Sequence, residues 1–403
     1  MTTGRAPGAD VRATGGQDGL FEDSDAPEFG KALAGAMTRS VRHPHDLAAA
    51  GLTYAGSMAK LGPTAISRLF GAKATPPAGL RPDKRFADAA WSENPAFVVL
   101  HGAYAAACRL GDDVLDAGSK DPVVDAKARL AWQMMSDALS PTNFLLTNPA
   151  AIRRAAQTSG RSVVAGFGNF VRDLATNGGK PRQVDNRGFE LGTNLAATAG
   201  TVVFRNDLME LIQYAPQTKK VHAVPLLAVP PWINKYYVMD LAPGRSLLEW
   251  AVQHERTVFV ISYRNADESL RDVTMDDYLT RGALAAIDVI AEITGTQVVD
   301  LIGLCIGGAM VAMTAAYLAQ QRPARLGTIT LLNTLLDYSE PGALGVFTDE
   351  RSVARLEQQM ARTGFLEADQ MAGTFDALRP NDLIFAYVVS NWLLGEDPPA
   401  FDI

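Results

Sequence analysis

The spacing of hydrophobic and polar positions changes character near residue 185. Before it, apolar residues recur at helical intervals, as in NPAFVVLHGAYAAACRL and DAKARLAWQMMSDALSP, and alanine is abundant. The second stretch stops at Pro141. SPTNFLLTNPAAIRRAAQTSG then turns a corner, and Asn148 caps a new helix with Pro149 in its first turn. Beyond 185, short apolar runs alternate with helical stretches. TVVFRNDLMELIQY reads as a hairpin turning at Asn206 and Asp207, and HAVPLLAVPP as a buried strand. Ser246 to Glu249 forms a capping box that opens the helix SLLEWAVQHE. RTVFVISY is the next strand, DDYLTRGALAAIDVIAEITG the next helix, QVVDLIGL a strand leading into the helix GGAMVAMTAAYLAQ, and RLGTITLLNT one strand more. Such alternation implies a parallel sheet with helices on both faces, so the predicted fold class is α/β with an α-helical N-terminal region.

The pattern also suggests domain limits. Residues 1–80 are expected to be a disordered or variable extension, low in periodic apolar content up to about residue 30, with short helical patterns from Lys31 and a linker-like GAKATPPAGLRPDKR. Residues 81–184 form the helical domain, 185–335 the sheet core, and 336–403 a loop-and-helix segment.

Composition narrows the function. The chain of 403 residues is 47% hydrophobic and 20% charged, with a net charge of −7 and no Lys/Arg-rich block. Nucleic-acid binding is not expected, although a polyanionic small molecule could meet a local basic pocket. MTTGRAPGAD lacks the apolar core of a secretory signal, and the richest apolar stretch, VPLLAVPPWI, is short and broken by prolines. The two cysteines, Cys108 and Cys305, lie far apart, which fits a reducing compartment. A cytoplasmic protein with no transmembrane segment is expected. Metal-ligand spacings, a P-loop and a dinucleotide fingerprint are not found, so no metal and no cofactor are expected.

The stretch LIGLCIGGAM carries the chemistry. A sharp turn between a strand and a helix would bring side chains at minus two and plus two into collision, which explains Gly303 and Gly307. Gly308 lets the new helix pack closely on the sheet. The residue at the apex, Cys305, then projects outward from a strained backbone, as in the nucleophile elbow G-x-S-x-G with cysteine replacing serine. The start of a helix supplies unpaired N–H groups and a partial positive charge, which suits an anionic nucleophile. The Ile306 N–H is placed to donate to a developing oxyanion. A small buried hydrophobe is the default reading of a lone cysteine, but the strand–elbow–helix context favours a nucleophile. The second oxyanion donor should come from the loop after an earlier strand. VPPWINKYY occupies that place, with Ile233 as donor and Trp232 and Asn234 lining the site. Taken alone, that loop reads more readily as an aromatic cluster packed at a strand end.

The sequence resembles the polyhydroxyalkanoate synthases, most closely the class I type. The resemblance rests on PDKRFADAAWSENPAF, LSPTNFLLTNP, VVFRNDLMELIQYAPQT, VPPWINKYYVMDLAPGRS and TVFVISYRN. It continues through LIGLCIGGAM, GVFTDE, RPNDLIFAYVVSNWLLG and PPAFDI, covering about residues 80–403. It implies an α/β-hydrolase-type sheet, incomplete at the C-terminus, with 336–403 as a partial cap over the active site. It implies an acyltransferase in which Cys305 takes the acyl group of a 3-hydroxyacyl-CoA as a thioester. A 3-hydroxyl group then attacks that thioester, extending a polyester with release of CoA. A thioester suits this physically, because it stays activated toward the incoming alcohol. The resemblance leaves open a homodimer and attachment at the surface of polyhydroxyalkanoate granules.

The family carries a catalytic Asp and His after the nucleophile. All five histidines here, His43, His45, His101, His222 and His254, precede Cys305. The expected places for that acid and base lie beyond Ile403, and no residue in this chain is assigned to either, so impaired activity is expected. His254 and His222 are expected at the wrong end of the sheet, and His101 in the helical region. Two other readings remain: a thioesterase or lipase-like hydrolase using the same elbow, and a non-catalytic partner that binds granules or a complete synthase. For the latter, RSVVAGFGNFVRDLATN offers an amphipathic face that core packing would explain as well.

Overall fold

The computed structural model describes residues 26–69, 83–118, 121–185 and 187–400. The chain divides into two compact units. One contains the residues up to Asp185 together with Ala343–Ser352 and Ala368–Ala400, and the other contains Asn186–Gly342 with Val353–Glu367. The segment expected as a partial cap, 336–403, is thus divided between the two units.

The first unit is helical. It runs through α1 (Ala26–Ser40), α2 (Pro44–Leu69), α3 (Ala90–Glu93), α4 (Pro95–Ala117), α5 (Pro122–Ala138), α6 (Pro149–Gln157) and α7 (Arg161–Thr176). Three of these start alike, with a capping side chain followed by proline. Asn94, Asp121 and Asn148 each accept from backbone N–H groups of the first turn. The extension expected over 1–80 is instead ordered helix from Ala26 to Leu69, where α1 packs on α5 and α2 on α4. Alanine-rich faces such as Ala32 and Ala36 bury well despite their low hydrophobicity, which is why the pattern there was weak. Residues 1–25, and most of the expected linker, fall outside the described residues.

Within this unit Lys127 is buried among Glu28 (3.1 Å), Asp349 (2.6 Å) and the Ser352 hydroxyl (3.0 Å). That cluster ties Ala343–Ser352 to α1 and α5. Beyond it, α13 (Ala368–Leu378) precedes two π-helical turns, Asn381–Phe385 and Val388–Leu393.

The second unit is built on a six-stranded sheet. Strands β1 (Gly200–Arg205) and β2 (Met209–Tyr214) form the expected hairpin, with Asn206 accepting from the N–H groups of Leu208 and Met209. β3 (Leu226–Val229), β4 (Val258–Tyr263), β5 (Val299–Leu304) and β6 (Leu326–Leu332) follow, in the spatial order β1-β2-β4-β3-β5-β6. β4, β3, β5 and β6 are mutually parallel, and β2 joins β4 antiparallel. The crossovers are α8 (Leu247–Gln253), then α9 (Met275–Asp277) continuing through a π-helical stretch into α10 (Ala285–Thr294), then α11 (Ile306–Gln321). α12 (Glu350–Thr363) spans the boundary between the two sets of residues.

The strands bury both faces. On β4, Phe259, Ile261 and Tyr263 join the cluster formed with α10 and α11, while Val258 and Val260 join Leu248 and Val252 of α8. This two-sided burial explains the nearly continuous apolar runs in the sequence. β6 is an edge strand, exposed from Thr328 to Leu331. Ser246 caps α8 as expected by accepting from the Glu249 N–H (2.8 Å), but Glu249 directs its carboxylate toward Gln217 rather than closing the box. The arrangement is an α/β-hydrolase-type sheet.

Candidate active site

Strand order fixes where a site can form. From β3 the chain crosses to β4 on one side, and from β5 it crosses to β6 on the other. The carboxyl ends of β3 and β5 therefore flank a topological switch point, where departing loops diverge and leave a crevice. The elbow and the VPPWINKYY loop are the two segments that leave those ends.

Cys305 lies between β5 and α11 with φ 54° and ψ −123°, a conformation costly for a side chain-bearing residue, and it is exposed. Its N–H donates to the Leu332 carbonyl at the end of β6 (2.9 Å), and its carbonyl accepts from Gly308 (2.9 Å). The turn is therefore held from both sides. The three glycines behave as the turn demands. A Cβ on Gly303 would lie 2.5 Å from the Gly308 Cα and 2.7 Å from the Gly307 carbonyl oxygen. One on Gly307 would strike the Val229 and Pro230 carbonyls, and one on Gly308 would enter the Thr334 side chain. The first turn of α11 is thus pressed against the end of β3 and against Thr334, two residues past β6.

As the first residue of α11, Ile306 carries one of the N–H groups that lack an intrahelical acceptor. Across the crevice, Pro230 and Pro231 are buried, and the chain bends through Trp232, Ile233 and Asn234. Ile233 and Asn234 are exposed. Trp232 is partly buried, with its ring on Tyr278 (centroids 4.9 Å) and edge-on to Tyr263 (6.2 Å). Lys235, next in the loop, is half-buried, and burial lowers its pKa below the usual lysine range. Burial likewise raises the phenols of Tyr263 and Tyr278.

Sequence reasoning missed Tyr263, Tyr278, Leu332 and Thr334. Each acts through a strand neighbour or a helix far away in the chain, so no local spacing announces them.

Histidine placement follows from register. β3 and β5 start level, with Leu226 opposite Asp300, and β4 starts beside them. His222 precedes β3, with its N–H donating to Glu255 O (2.7 Å). His254 ends α8 just before β4, with its Nδ1 2.7 Å from Trp250 O and its ring stacked on the Trp250 indole. Both belong to the amino edge of the sheet. Cys305 follows the carboxyl end of β5, whose length puts the two edges roughly 16 Å apart at about 3.3 Å per residue. His101 belongs to the helical unit, where its ring stacks on Phe86 at 4.0 Å and burial lowers its pKa.

Comparison with known proteins matches residues 82–251 to the family described as Poly-beta-hydroxybutyrate polymerase (PhaC) N-terminus. A poly(3-hydroxyalkanoate) polymerase of Methylorubrum extorquens is 40% identical over 384 residues, 94% of this chain and 64% of that protein. The polymerase subunit PhaC of Cupriavidus necator is 41% identical over 80% of this chain and 55% of its own. Polymerase 1 of Ectopseudomonas oleovorans is 38% identical over 80% of this chain and 57% of its own. Among solved structures, a carboxylesterase of the thaumarchaeon Nitrososphaera gargenis overlays with a TM-score of 0.26 and 16% identity, covering 48% of this chain and 71% of that one. The chain spans between about half and two thirds of the length of the relatives it matches. Residues 82–251 therefore match the N-terminal part of that polymerase family, and most of the chain is similar to poly(3-hydroxyalkanoate) polymerases.

Proposed function

We propose that this chain carries the nucleophile and oxyanion site of an acyl transfer that builds polyhydroxyalkanoate from 3-hydroxyacyl-CoA. The observation that carries the reading is Cys305, exposed on a strained elbow at the switch point of the sheet. In the first step the Cys305 sulfur attacks the thioester carbonyl. The C–S bond to CoA breaks, and CoA leaves as a thiol once it gains a proton. The N–H groups of Ile306 and Ile233 donate to the oxygen that gains charge. In the second step the 3-hydroxyl of a chain or monomer attacks the Cys305 thioester, losing its proton and returning the cysteine. Trp232 and Asn234 line the acyl path, and the Trp232–Tyr278–Tyr263 packing holds the loop in place.

With His222 and His254 at the opposite sheet edge, neither can take the Cys305 proton directly. We therefore expect slow CoA release by this chain alone. The product is a separate apolar phase, so the working location is the granule surface within the cytoplasm, and the reading includes a homodimer, measurable by light scattering. The experiment incubates the purified chain with 3-hydroxybutyryl-CoA and follows both free CoA and acylation of Cys305 by mass spectrometry. Acyl-Cys305 forming slowly, and absent in Cys305→Ala, supports the proposal. Acylation at Cys108 alone, or none while Cys305 is readily alkylated by iodoacetamide, refutes it. The distant histidines also favour a second reading, a non-catalytic partner of a complete synthase. Stoichiometric co-purification with such a synthase, without acylation, would select it. Release of free 3-hydroxybutyrate in place of polymer would select a hydrolase.

A further inference from the structure

Helix α7 is turned inside out. Its buried residues are Ser162, Gly166, Asn169 and Asp173, whereas Val164 (75% exposed), Phe167 (65%), Val171 and Leu174 (60%) face outward, with Phe170 beside them. The polar side is committed. Asn169 donates to the carbonyls of Asn391 (3.1 Å) and Glu396 (3.0 Å). Asp173, fully buried, accepts from Arg182 Nε (2.8 Å) and Trp392 Nε1 (2.9 Å). Rolling the helix to hide its apolar side would break these bonds and strand a carboxylate, so the outward orientation is locked.

At about 100° per residue, Phe170, Leu174, Phe167, Val171, Val164, Ala175 and Gly168 fill one continuous sector of roughly 160°. Arg161 and Arg172, eleven positions apart and therefore on one side of the helix, border that sector. They hydrogen-bond to Thr158 O (3.3 Å) and Asn169 Oδ1 (3.2 Å), neither of which is a carboxylate. From Pro149 to Asn177 the sequence holds four arginines and one acid, the buried Asp173, in a chain whose net charge is −7. A wide apolar face with a basic border is the pattern of a helix lying in a membrane interface. A second copy of α7 would bring its own arginines and no exposed acid to meet them. A bare polyester would leave the basic border without a function.

We propose that the outer face of α7 docks in the plane of an anionic phospholipid surface, with its apolar sector among the acyl chains and Arg161 and Arg172 at the headgroup phosphates. The inference stands independently of the reaction at Cys305. The test floats the full chain with phosphatidylcholine vesicles, with and without phosphatidylglycerol, at low and high salt. Binding is expected to the anionic vesicles and to weaken with salt. Arg161→Ala should lower affinity about fivefold, and the double variant with Arg172→Ala about 25-fold. Phe167→Glu with Leu174→Glu should remove binding. These residues are exposed, so the thermal midpoint should not move, and Val123→Glu, an exposed apolar position on α5, should bind as wild type. Absence of flotation overturns the proposal. So does binding that ignores salt and headgroup charge, or equal retention on polyester particles by the arginine variants. A dimer in light scattering that Phe167→Glu dissociates would assign the face to a second copy and overturn it as well.

Discussion

Adding one methyl group at position 303 should damage both the fold and the reactivity of the cysteine two residues on. Gly303 is buried and its φ is ordinary, so alanine meets no backbone prohibition and the conflict is purely steric. The new Cβ would sit 2.5 Å from the Gly308 Cα, 2.7 Å from the Gly307 oxygen and 2.8 Å from the Gly308 nitrogen. These are all backbone atoms at the start of α11 and cannot rotate away. Restoring ordinary contact requires the helix start to retreat by roughly an ångström, an overpacking that costs about 1–3 kcal/mol. α11 begins immediately after Cys305, whose own N–H is tied to Leu332 O, so the retreat opens the elbow. A displacement of that size can cost about a hundredfold in rate. Urea denaturation would measure the first effect. The second is the rate of acylation or alkylation at Cys305, separated from Cys108 by peptide mass. Gly51→Ala, in open space on α2, is the control and should be neutral or stabilising by up to about 1 kcal/mol. Gly303→Ala within about 0.5 kcal/mol of wild type, with Cys305 reacting at the wild-type rate, would refute a tight elbow.

Further outcomes concern the supporting structure. Lys127→Ala should cost about 3–5 kcal/mol in urea denaturation, because it leaves Asp349 without its buried ammonium partner. Burial pushes the Asp349 carboxyl up, but the hydrogen bonds from Lys127 and Ser352 outweigh it and hold the pKa at about 2. That folded value lies below the unfolded one, so its contribution is full above about pH 4 and lost as pH falls through about 2. An acid-unfolding curve that Lys127→Ala leaves unchanged between those limits would contradict the assignment. The Tyr263 hydroxyl is buried without a partner among the described residues. Tyr263→Phe should therefore keep the Trp232 contact and change stability by less than about 1 kcal/mol, and a larger loss in thermal denaturation would reveal a bond to that hydroxyl.

The sequence alone determined the elements whose signals are local. Pro149 behind Asn148, the Asn206 turn, the doubly apolar strands and the glycines flanking Cys305 all act within a few residues, so each could be read before any coordinates. The place of Cys305 on a tight elbow was legible for the same reason, since such a turn excludes Cβ atoms at fixed offsets. Tertiary structure decided the rest. The bond from Cys305 to Leu332, the Tyr263 and Tyr278 rings behind Trp232, and the Lys127 cluster join residues distant in sequence. Alanine-rich α1 and α2 looked like an extension because their burial depends on α4 and α5 being present to receive them. Helix α7 shows the limit most plainly. Its periodicity marks two faces, but which face turns inward was settled by the partners that Asn169 and Asp173 find near residues 391 to 396 and at Arg182. A buried carboxylate without partners costs more than several exposed apolar side chains, so hydrogen bonding overrode hydrophobicity there.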